Sequence, residues 1–250
     1  MKSARKILII ISMMLLVLTS TSNIYASSLN SKIKKALKTN SKTNVSSWNW
    51  NFKESRELYQ DVRNAYPICY IREYGKYYDL KHSRYSPNNN GTKHLCVLSQ
   101  ENIKKQKKMT KKTQKVLKLV VYKTGSRVAK IKKLNKYVKK HIRPAKGSEI
   151  YGTHVTTAYS AISGVGVCQG YAATFKYLCD INKIPCKYIV GHKKNNNNVI
   201  HAWNVVKINK TWYVVDVTFN DTGNDNMLLV SDKTHGFVAD YTNIECPKDY

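Results

Sequence analysis

The clearest pattern of apolar positions begins at Cys168. Apolar and aromatic side chains recur there at the spacing of one helical face. They are Tyr171, Ala172, Phe175, Leu178 and Cys179. Gly164 and Gly166 interrupt the chain just before this stretch. The pattern therefore predicts a glycine-broken turn followed by an amphipathic helix that begins at Cys168.

Two later segments have the composition of β-strands. Residues 199–206 and 211–217 are rich in β-branched and aromatic side chains, which favour strands. Asn209 and Lys210 separate the two segments and predict a tight hairpin turn between them.

The register of this hairpin decides which side chains meet. A two-residue loop pairs Ile208 with Thr211. In that register Trp203 faces Asp216, and His201 lies diagonally across from the same carboxylate. Diagonal neighbours have Cβ atoms roughly 7 Å apart, within reach of an imidazole–carboxylate hydrogen bond. A four-residue loop gives the same pairing, whereas a three-residue loop separates the two side chains.

The flanking segments complete an α+β pattern. Residues 101–121 and 127–142 combine apolar positions at helical spacing with many lysines, and Ser126 is placed to cap the second helix. Further strands are predicted at residues 184–190 and 227–230, and a polar hairpin loop is predicted at residues 193–198. We therefore expect an α+β fold in which the Cys168 helix packs on an antiparallel sheet.

The candidate chemistry is that of a thiol beside a histidine and a carboxylate. A helix N-terminus presents unpaired N–H groups and the positive end of the helix dipole, which favour a thiolate at Cys168. A thiolate nucleophile needs a base, and the base needs a group that orients it. His201 and Asp216 fit these two roles, although each residue alone has a structural explanation. Three other histidines lack a carboxylate at strand-diagonal spacing: His154, His192 and His235.

Three motifs together resemble a known family. V-C-Q-G-Y-A around Cys168, H-A-W-N-V-V from His201 and W-Y-V-V-D-V-T around Asp216 are similar to the transglutaminase-like superfamily, whose fold is related to that of papain. The resemblance covers roughly residues 125–235. It implies Cys168 as nucleophile, His201 as base and Asp216 as orienter. Bacterial members often read D-P-T-W-D where this chain has Asp216-Val217-Thr218-Phe219-Asn220.

Several residues near the motifs are candidates for the substrate cleft. They are Tyr159, Gln169, Tyr171 and Trp203. The alternative is packing for Tyr171 and Trp203, and helix capping or solvent exposure for Gln169. We expect the backbone N–H of Cys168 to contribute to an oxyanion hole. Tyr159 is the candidate for the second donor.

The chain divides into four predicted segments. An apolar run at 7–18 follows Lys2, Arg5 and Lys6, which is a signal-peptide pattern, since the run is too short to span a bilayer comfortably. We expect cleavage near Ala26, with an uncleaved membrane anchor as the alternative. The segments are a signal peptide at 1–26, a flexible linker at 27–47, a small α+β subdomain at 48–105 and a catalytic domain at 106–250.

The six cysteines of an exported chain predict disulfides. We expect Cys69 to pair with Cys96, because both lie in the N-terminal half. Cys179 and Cys186 fit equally well as buried thiols. No C-x-x-C or H-E-x-x-H motif occurs, so we expect no metal site and no cofactor.

Charge is concentrated in one part of the chain. The formal net charge is +28, and residues 101–147 carry 18 basic side chains and one acidic side chain. Residues 148–250 carry nine of each, so the candidate chemistry does not need this excess. A cation of this density is expected to bind anionic cell-wall polymers or a membrane surface. The alternative is a solvated lysine-rich face, and no recognised motif supports nucleic acid as a partner.

These observations predict a secreted or cell-surface thiol enzyme. Its substrate is expected to be a protein or peptide, attacked at a carboxamide or peptide bond through a thioester on Cys168. Hydrolysis, as a peptidase or deamidase, is favoured over cross-linking as a transglutaminase. The alternative from another class is a non-catalytic basic adhesion module that binds anionic cell-wall or surface polymers.

Overall fold

The structure, a computed structural model, describes only part of the chain. The described residues are 60, 63–64, 72–76, 95–99, 103–151, 154–223, 226–240 and 242–250, and the side chains of 72–76, 95–99, 103–107 and 151 are not described. The predicted signal peptide, the linker and most of the 48–105 subdomain lie outside these residues. Cys69 and the side chain of Cys96, which are predicted to pair, are also not described.

Among the described residues, five strands form one antiparallel sheet in the order β8-β7-β6-β5-β9. Two smaller sheets pair β1 with β2 in antiparallel fashion and β3 with β4 in parallel fashion. The strands are β1 Arg72–Lys76, β2 Leu95–Ser99, β3 Arg143–Pro144, β4 Val165–Gly166, β5 Cys186–Lys193, β6 Asn196–Ile208, β7 Thr211–Val215, β8 Leu228–Val230 and β9 Phe237–Ala239.

The described residues include six α-helices. They are α1 Ile103–Leu117, α2 Arg127–His141, α3 Ser160–Ser163, α4 Cys168–Ile181, α5 Val217–Thr222 and α6 Asp232–His235, with a 3₁₀ turn at Gly147–Tyr151. The α+β prediction is confirmed, with α4 packed on β5 and β6. None of the helices in the described part of the chain has both the length and the apolar character that a membrane crossing needs.

The predicted hairpin register is confirmed over most of its length. Ile208 pairs with Thr211 across the two-residue turn, and the ladder continues to Asn204 opposite Val215. The prediction of a strand through residue 217 is wrong at its end, because Asp216 leaves the sheet and becomes the N-cap of α5. Its side chain accepts a hydrogen bond from the backbone N–H of Phe219. This N–H lies in the first turn of α5 and has no acceptor within the helix, so the cap satisfies it.

Alternation along β6 gives the sheet two buried faces. Ala202 and Val206 belong to the clusters on the helical side, where α2 and α4 pack, whereas Trp203 and Val205 belong to the cluster on the other side. Cys246 from the C-terminal segment lies in that second cluster. Strand β6, which contains His201, therefore packs against other residues on both faces, and this packing fixes its position.

Local details follow the predicted helix signals but not all of the loop predictions. The Ser126 hydroxyl accepts a hydrogen bond from the Ala129 N–H at 3.2 Å, as expected of an N-cap. The predicted loop at 193–198 is shorter than expected, since β5 runs to Lys193 and β6 begins at Asn196. The edge strand β9 was not predicted, because three residues are too few to show a period.

Candidate active site

Cys168 is the first residue of α4. Val167 before it has extended backbone, and Gly164 has the left-handed conformation (φ 78°) that ends α3. The parallel pairing of Arg143 with Val165 holds this turn against the end of α2. The N–H groups of the first residues of a helix have no intrahelical acceptor, so those of Cys168 and the next residue can donate only to groups outside the helix.

Gly170 in the first turn of α4 permits very close packing. A Cβ atom at this position would lie 2.2 Å from both Ser160 Oγ and the Val155 carbonyl oxygen. The atoms that approach Gly170 this closely belong to the protein's own 155–160 segment. The start of α4, which includes Cys168, therefore packs closely against residues 155–160.

His201 and Asp216 form a buried pair. His201 Nε2 lies 2.6 Å from Asp216 Oδ2, and the side chains are 9% and 0% exposed. The second carboxylate oxygen, Oδ1, accepts the Phe219 N–H at 3.1 Å. The structure thus brings together the imidazole and the carboxylate that the diagonal spacing predicts, although Asp216 reaches its place as a helix cap.

The electrostatics of the pair favour an imidazolium. Burial alone disfavours it, but hydrogen bonds to Asp216 and to the Cys168 thiol raise the pKa of His201 from 6.5 to about 10. Burial likewise opposes the ionised Asp216, yet hydrogen bonds from His201 and His235 lower its pKa to about 2. Because Nε2 contacts Asp216, Nδ1 is the imidazole nitrogen left for the thiol. The arrangement places an imidazole, oriented by a carboxylate, beside the Cys168 thiol.

His235 contacts the same carboxylate, which the sequence did not suggest. Its Nε2 lies 2.9 Å from Asp216 Oδ2, and its side chain is fully buried. His235 ends the four-residue helix α6, and no strand spacing relates it to Asp216. Only its place in the folded chain reveals the contact.

His192 also has a carboxylate partner, so one expectation is wrong. Its Nδ1 contacts Asp240 Oδ1. His192 pairs with Val238 across β5 and β9, and Asp240 follows two residues later, at diagonal spacing. The sequence missed this pair because β9 itself was not predicted. His154 packs edge-on against Tyr159 instead, with ring centroids 6.4 Å apart.

Aromatic rings enclose His201. The ring centroids of Phe219 and Phe237 lie 4.9 and 5.0 Å from that of the imidazole, and Trp203 stacks at 6.1 Å. Phe219 occupies the place of the tryptophan in the D-P-T-W-D pattern. These rings shield the His201–Asp216 contact from water, which strengthens its electrostatic interaction.

The four cleft candidates lie in different environments. Tyr171 is fully buried, and its hydroxyl lies 2.6 Å from Asp221 Oδ2 and 3.0 Å from the Ile142 carbonyl oxygen. Burial and the Asp221 carboxylate raise the pKa of this hydroxyl. Trp203 is 2% exposed. Tyr171 and Trp203 are thus buried to the extent expected of residues that pack in the protein core. Tyr159 and Gln169 are half-buried and keep the cleft interpretation open.

One group of described side chains has the spacing of metal ligands. The ligand atoms of His201, Asp216 and His235 lie within 4.8 Å of one another. Both imidazole contacts to the carboxylate already have hydrogen-bond length. A carboxylate that accepts two N–H groups at such distances is satisfied without a metal ion.

The cysteines in the described part of the chain are free thiols: Cys168, Cys179, Cys186 and Cys246. Cys168 is half-buried and the other three are buried. Burial raises the pKa of Cys179, and a hydrogen bond to Cys186 raises it further. Among these four, Cys168 is therefore the one both accessible and placed beside an imidazole.

A comparison with protein families covers the part of the chain that contains this site. Residues 107–217 match the model of the Transglutaminase-like superfamily. This part of the chain is a transglutaminase-like domain. The match includes Cys168, His201 and Asp216 and lies within the 106–250 domain predicted above. A search of curated proteins finds no match.

Solved structures similar to the transglutaminase-like domain include two longer proteins. A Cytophaga hutchinsonii protein described as a "putative cysteine protease" is 23% identical, with a TM-score of 0.38, over 52% of this chain and 40% of that one. A protein described as a TGase is 20% identical, with a TM-score of 0.35, over 48% of this chain and 32% of that one. The present chain thus spans less than half the length of either protein.

Proposed function

We propose that this protein is a thiol enzyme that acts on carboxamide or peptide bonds through a thioester on Cys168. The observation that carries the proposal is the meeting of three groups: a cysteine at the start of α4, the His201 imidazole with its raised pKa, and the buried Asp216 carboxylate. Hydrolysis, as a peptidase or deamidase, is the favoured outcome, and cross-linking to an amine is the second.

The groups have complementary roles in such a reaction. His201 accepts the thiol proton, and the thiolate sulfur attacks the carbonyl carbon of the substrate. As the C–N bond breaks, the imidazolium returns the proton to the departing amine, which leaves a thioester. Attack by water then gives a carboxylic acid and restores the thiol, whereas attack by a lysine amine gives a cross-link.

The backbone at the start of α4 supports the developing negative charge. The Cys168 N–H has no intrahelical acceptor, and it lies at the positive end of the helix dipole. A donor at this place stabilises the oxyanion of the tetrahedral intermediate. The fixed start of α4 keeps the donor in place.

The test compares the mature chain with its Cys168→Ala variant. Each is incubated with glutamine-containing peptides and a fluorescent primary amine, and products are identified by mass spectrometry. Peptide cleavage or conversion of glutamine to glutamate indicates hydrolysis, and amine incorporation indicates transfer. All products should be lost in Cys168→Ala. Equal turnover by the two proteins would contradict the proposal.

We also propose that the protein acts outside the cytoplasm. The positive residues and apolar run at 1–26 support this location, because they have the pattern of a signal peptide. Mass spectrometry of the protein from culture medium and cell-wall fractions should find an N-terminus near residue 27. Recovery of the full-length chain in the cytoplasm alone would contradict export.

A second candidate function is adhesion to an anionic surface polymer. Helix α2 carries seven Lys and Arg side chains and no acidic side chain. Its exposed lysines include Lys132, Lys133, Lys136 and Lys140, and the salt bridges of the described residues involve none of them. Like charges one turn apart destabilise a helix, so an anionic partner would relieve this repulsion.

Polyphosphate binding tests this second function. A variant with those four lysines changed to glutamine should lose about tenfold or more in affinity, since surface electrostatics supply the attraction. The matched control changes four exposed lysines of the neutral part, Lys187, Lys193, Lys194 and Lys210, and alters the net charge equally. Equal losses in both variants would show that the total charge, and not α2, drives binding. Cys168→Ala should bind like the wild type.

A further inference from the structure

We propose that His235 is a positioning residue of this site, a second histidine that holds the Asp216 carboxylate in line with His201. The inference deepens the proposed function, because it assigns a residue that supports the thiol–imidazole pair. His235 lies outside the three sequence motifs and outside the 107–217 family match.

The contacts of Asp216 account for both of its oxygens. Oδ1 accepts the Phe219 N–H at 3.1 Å, and Oδ2 lies 2.6 Å from His201 Nε2 and 2.9 Å from His235 Nε2. The carboxylate is 0% exposed, so water does not replace a missing donor. Without His235, Oδ2 loses one of its two side-chain donors in a place where only protein groups can hold it.

This geometry determines which nitrogen of His235 donates a hydrogen bond to Asp216. An ionised carboxylate only accepts hydrogen bonds, so His235 must present Nε2–H to Oδ2. Its other nitrogen, Nδ1, is buried and has no hydrogen-bond partner among the described residues. A buried nitrogen without a partner costs stability, so the hydrogen bond that His235 makes is the one from Nε2 to Asp216.

The surroundings of His235 hold the ring in place. Its centroid lies 4.8 Å from that of Trp203 and 5.0 Å from that of Phe237, the same rings that enclose His201. Helix α6 is capped by Ser231, whose hydroxyl accepts the Thr234 N–H at 3.2 Å.

The C-terminal segment in turn fixes α6. Asp232 N–H donates to the Cys246 carbonyl at 2.9 Å, and Cys246 N–H donates to Asp232 Oδ2 at 2.6 Å. Asp249 accepts the Ser231 N–H at 2.5 Å and the Thr234 hydroxyl at 3.0 Å. Residues beyond the family match therefore determine where the second histidine lies.

The test uses alkylation of Cys168 by iodoacetamide, which needs no substrate. The rate is followed by mass spectrometry from about pH 8.5 down to about pH 6, where an ordinary thiol reacts slowly. The variants are His235→Gln, which keeps an N–H donor, and His235→Met, which has similar length and no donor. Circular dichroism shows that each variant is folded.

We expect His235→Met to lower the rate at about pH 6 by about tenfold or more and to move the pH profile toward that of a free thiol. His235→Gln should recover most of the wild-type profile, which a role in packing alone would not produce. If His235→Met does not fold, His235→Asn, which is polar but too short to reach Oδ2, replaces it. A wild-type profile in His235→Met, or in His235→Asn where that variant replaces it, would overturn the inference. An ordinary thiol profile in the wild type would instead overturn the proposed function.

Discussion

His201 Nε2 lies 2.6 Å from Asp216 Oδ2, although the two residues are not paired in the sheet. The β6–β7 ladder ends at Asn204 and Val215, and Asp216 then caps α5. One carboxylate therefore has two structural roles, since it orients an imidazole and begins a helix. Variants at position 216 must separate these roles.

Asp216→Asn tests the first role, because asparagine remains a good N-cap. The carboxamide removes the negative charge and can present an N–H to His201, which favours the wrong imidazole tautomer. We expect the pKa of His201 to fall from about 10 to its ordinary value or below, as burial then dominates. In a Ser-His-Asp triad the corresponding aspartate-to-asparagine change lowers kcat by about 10⁴-fold, and we expect a loss of that size here. A histidine NMR titration and single-turnover rates measure both effects.

Asp216→Ala is the matched comparison. It removes the cap as well as the charge, so it should cost about 1 kcal/mol more in stability than Asp216→Asn. A His201 pKa that stays near 10 in both variants would show that Asp216 does not raise it.

The unfolding free energy should depend on Asp216 in acid. The carboxyl pKa is lowered from 3.8 to about 2 in the folded protein, so the folded state binds this proton less readily. The stabilisation is fully present above pH 3.8 and is lost as the pH falls through about 2. Denaturant titrations across this window should show the wild type losing its advantage over Asp216→Asn. A gap independent of pH would contradict the prediction.

Gly170→Ala should destabilise the protein. The added Cβ would lie 2.2 Å from Ser160 Oγ and from the Val155 carbonyl oxygen, and overpacking of this kind costs about 1–3 kcal/mol. Thermal denaturation measures the loss. The double variant with Ser160→Ala should recover little stability, since the Val155 backbone cannot be trimmed. Full recovery would show that the side chain alone limits the space.

Tyr171→Phe tests whether this buried tyrosine contacts substrate. Its hydroxyl is 2.6 Å from Asp221 Oδ2, so removal should cost about 1–3 kcal/mol of stability and leave KM unchanged. Tyr159→Phe is the control at a half-buried ring. A raised KM with unchanged stability in Tyr171→Phe would favour the cleft interpretation.

Local patterns in the sequence were sufficient for much of the fold. The helix start at Cys168, the Ser126 cap and the Ile208–Thr211 turn each depend on neighbouring residues, and the structure has all three. The end of β7 could not be predicted, because Val217 continues the alternation of apolar residues through Val215. The sequence pattern therefore gives no sign that α5 begins at Val217. Capping by Asp216 stops the strand there.

Contacts between distant segments were beyond these patterns. His235 reaches Asp216 only because α6 is fixed by the C-terminal segment, and neither short element has a recognisable period. The His192–Asp240 pair was missed for the same reason, since it depends on a three-residue edge strand.

The lysine-rich surface of α2 has a practical consequence for anyone who isolates this protein. Nucleic acid from lysed cells is attracted to such a surface without sequence preference, and salt releases it by counterion effects. Carried-over nucleic acid would occupy the lysines that the polyphosphate titration measures and would imitate a loss of affinity. Nuclease digestion and a wash at high ionic strength therefore belong before any binding experiment.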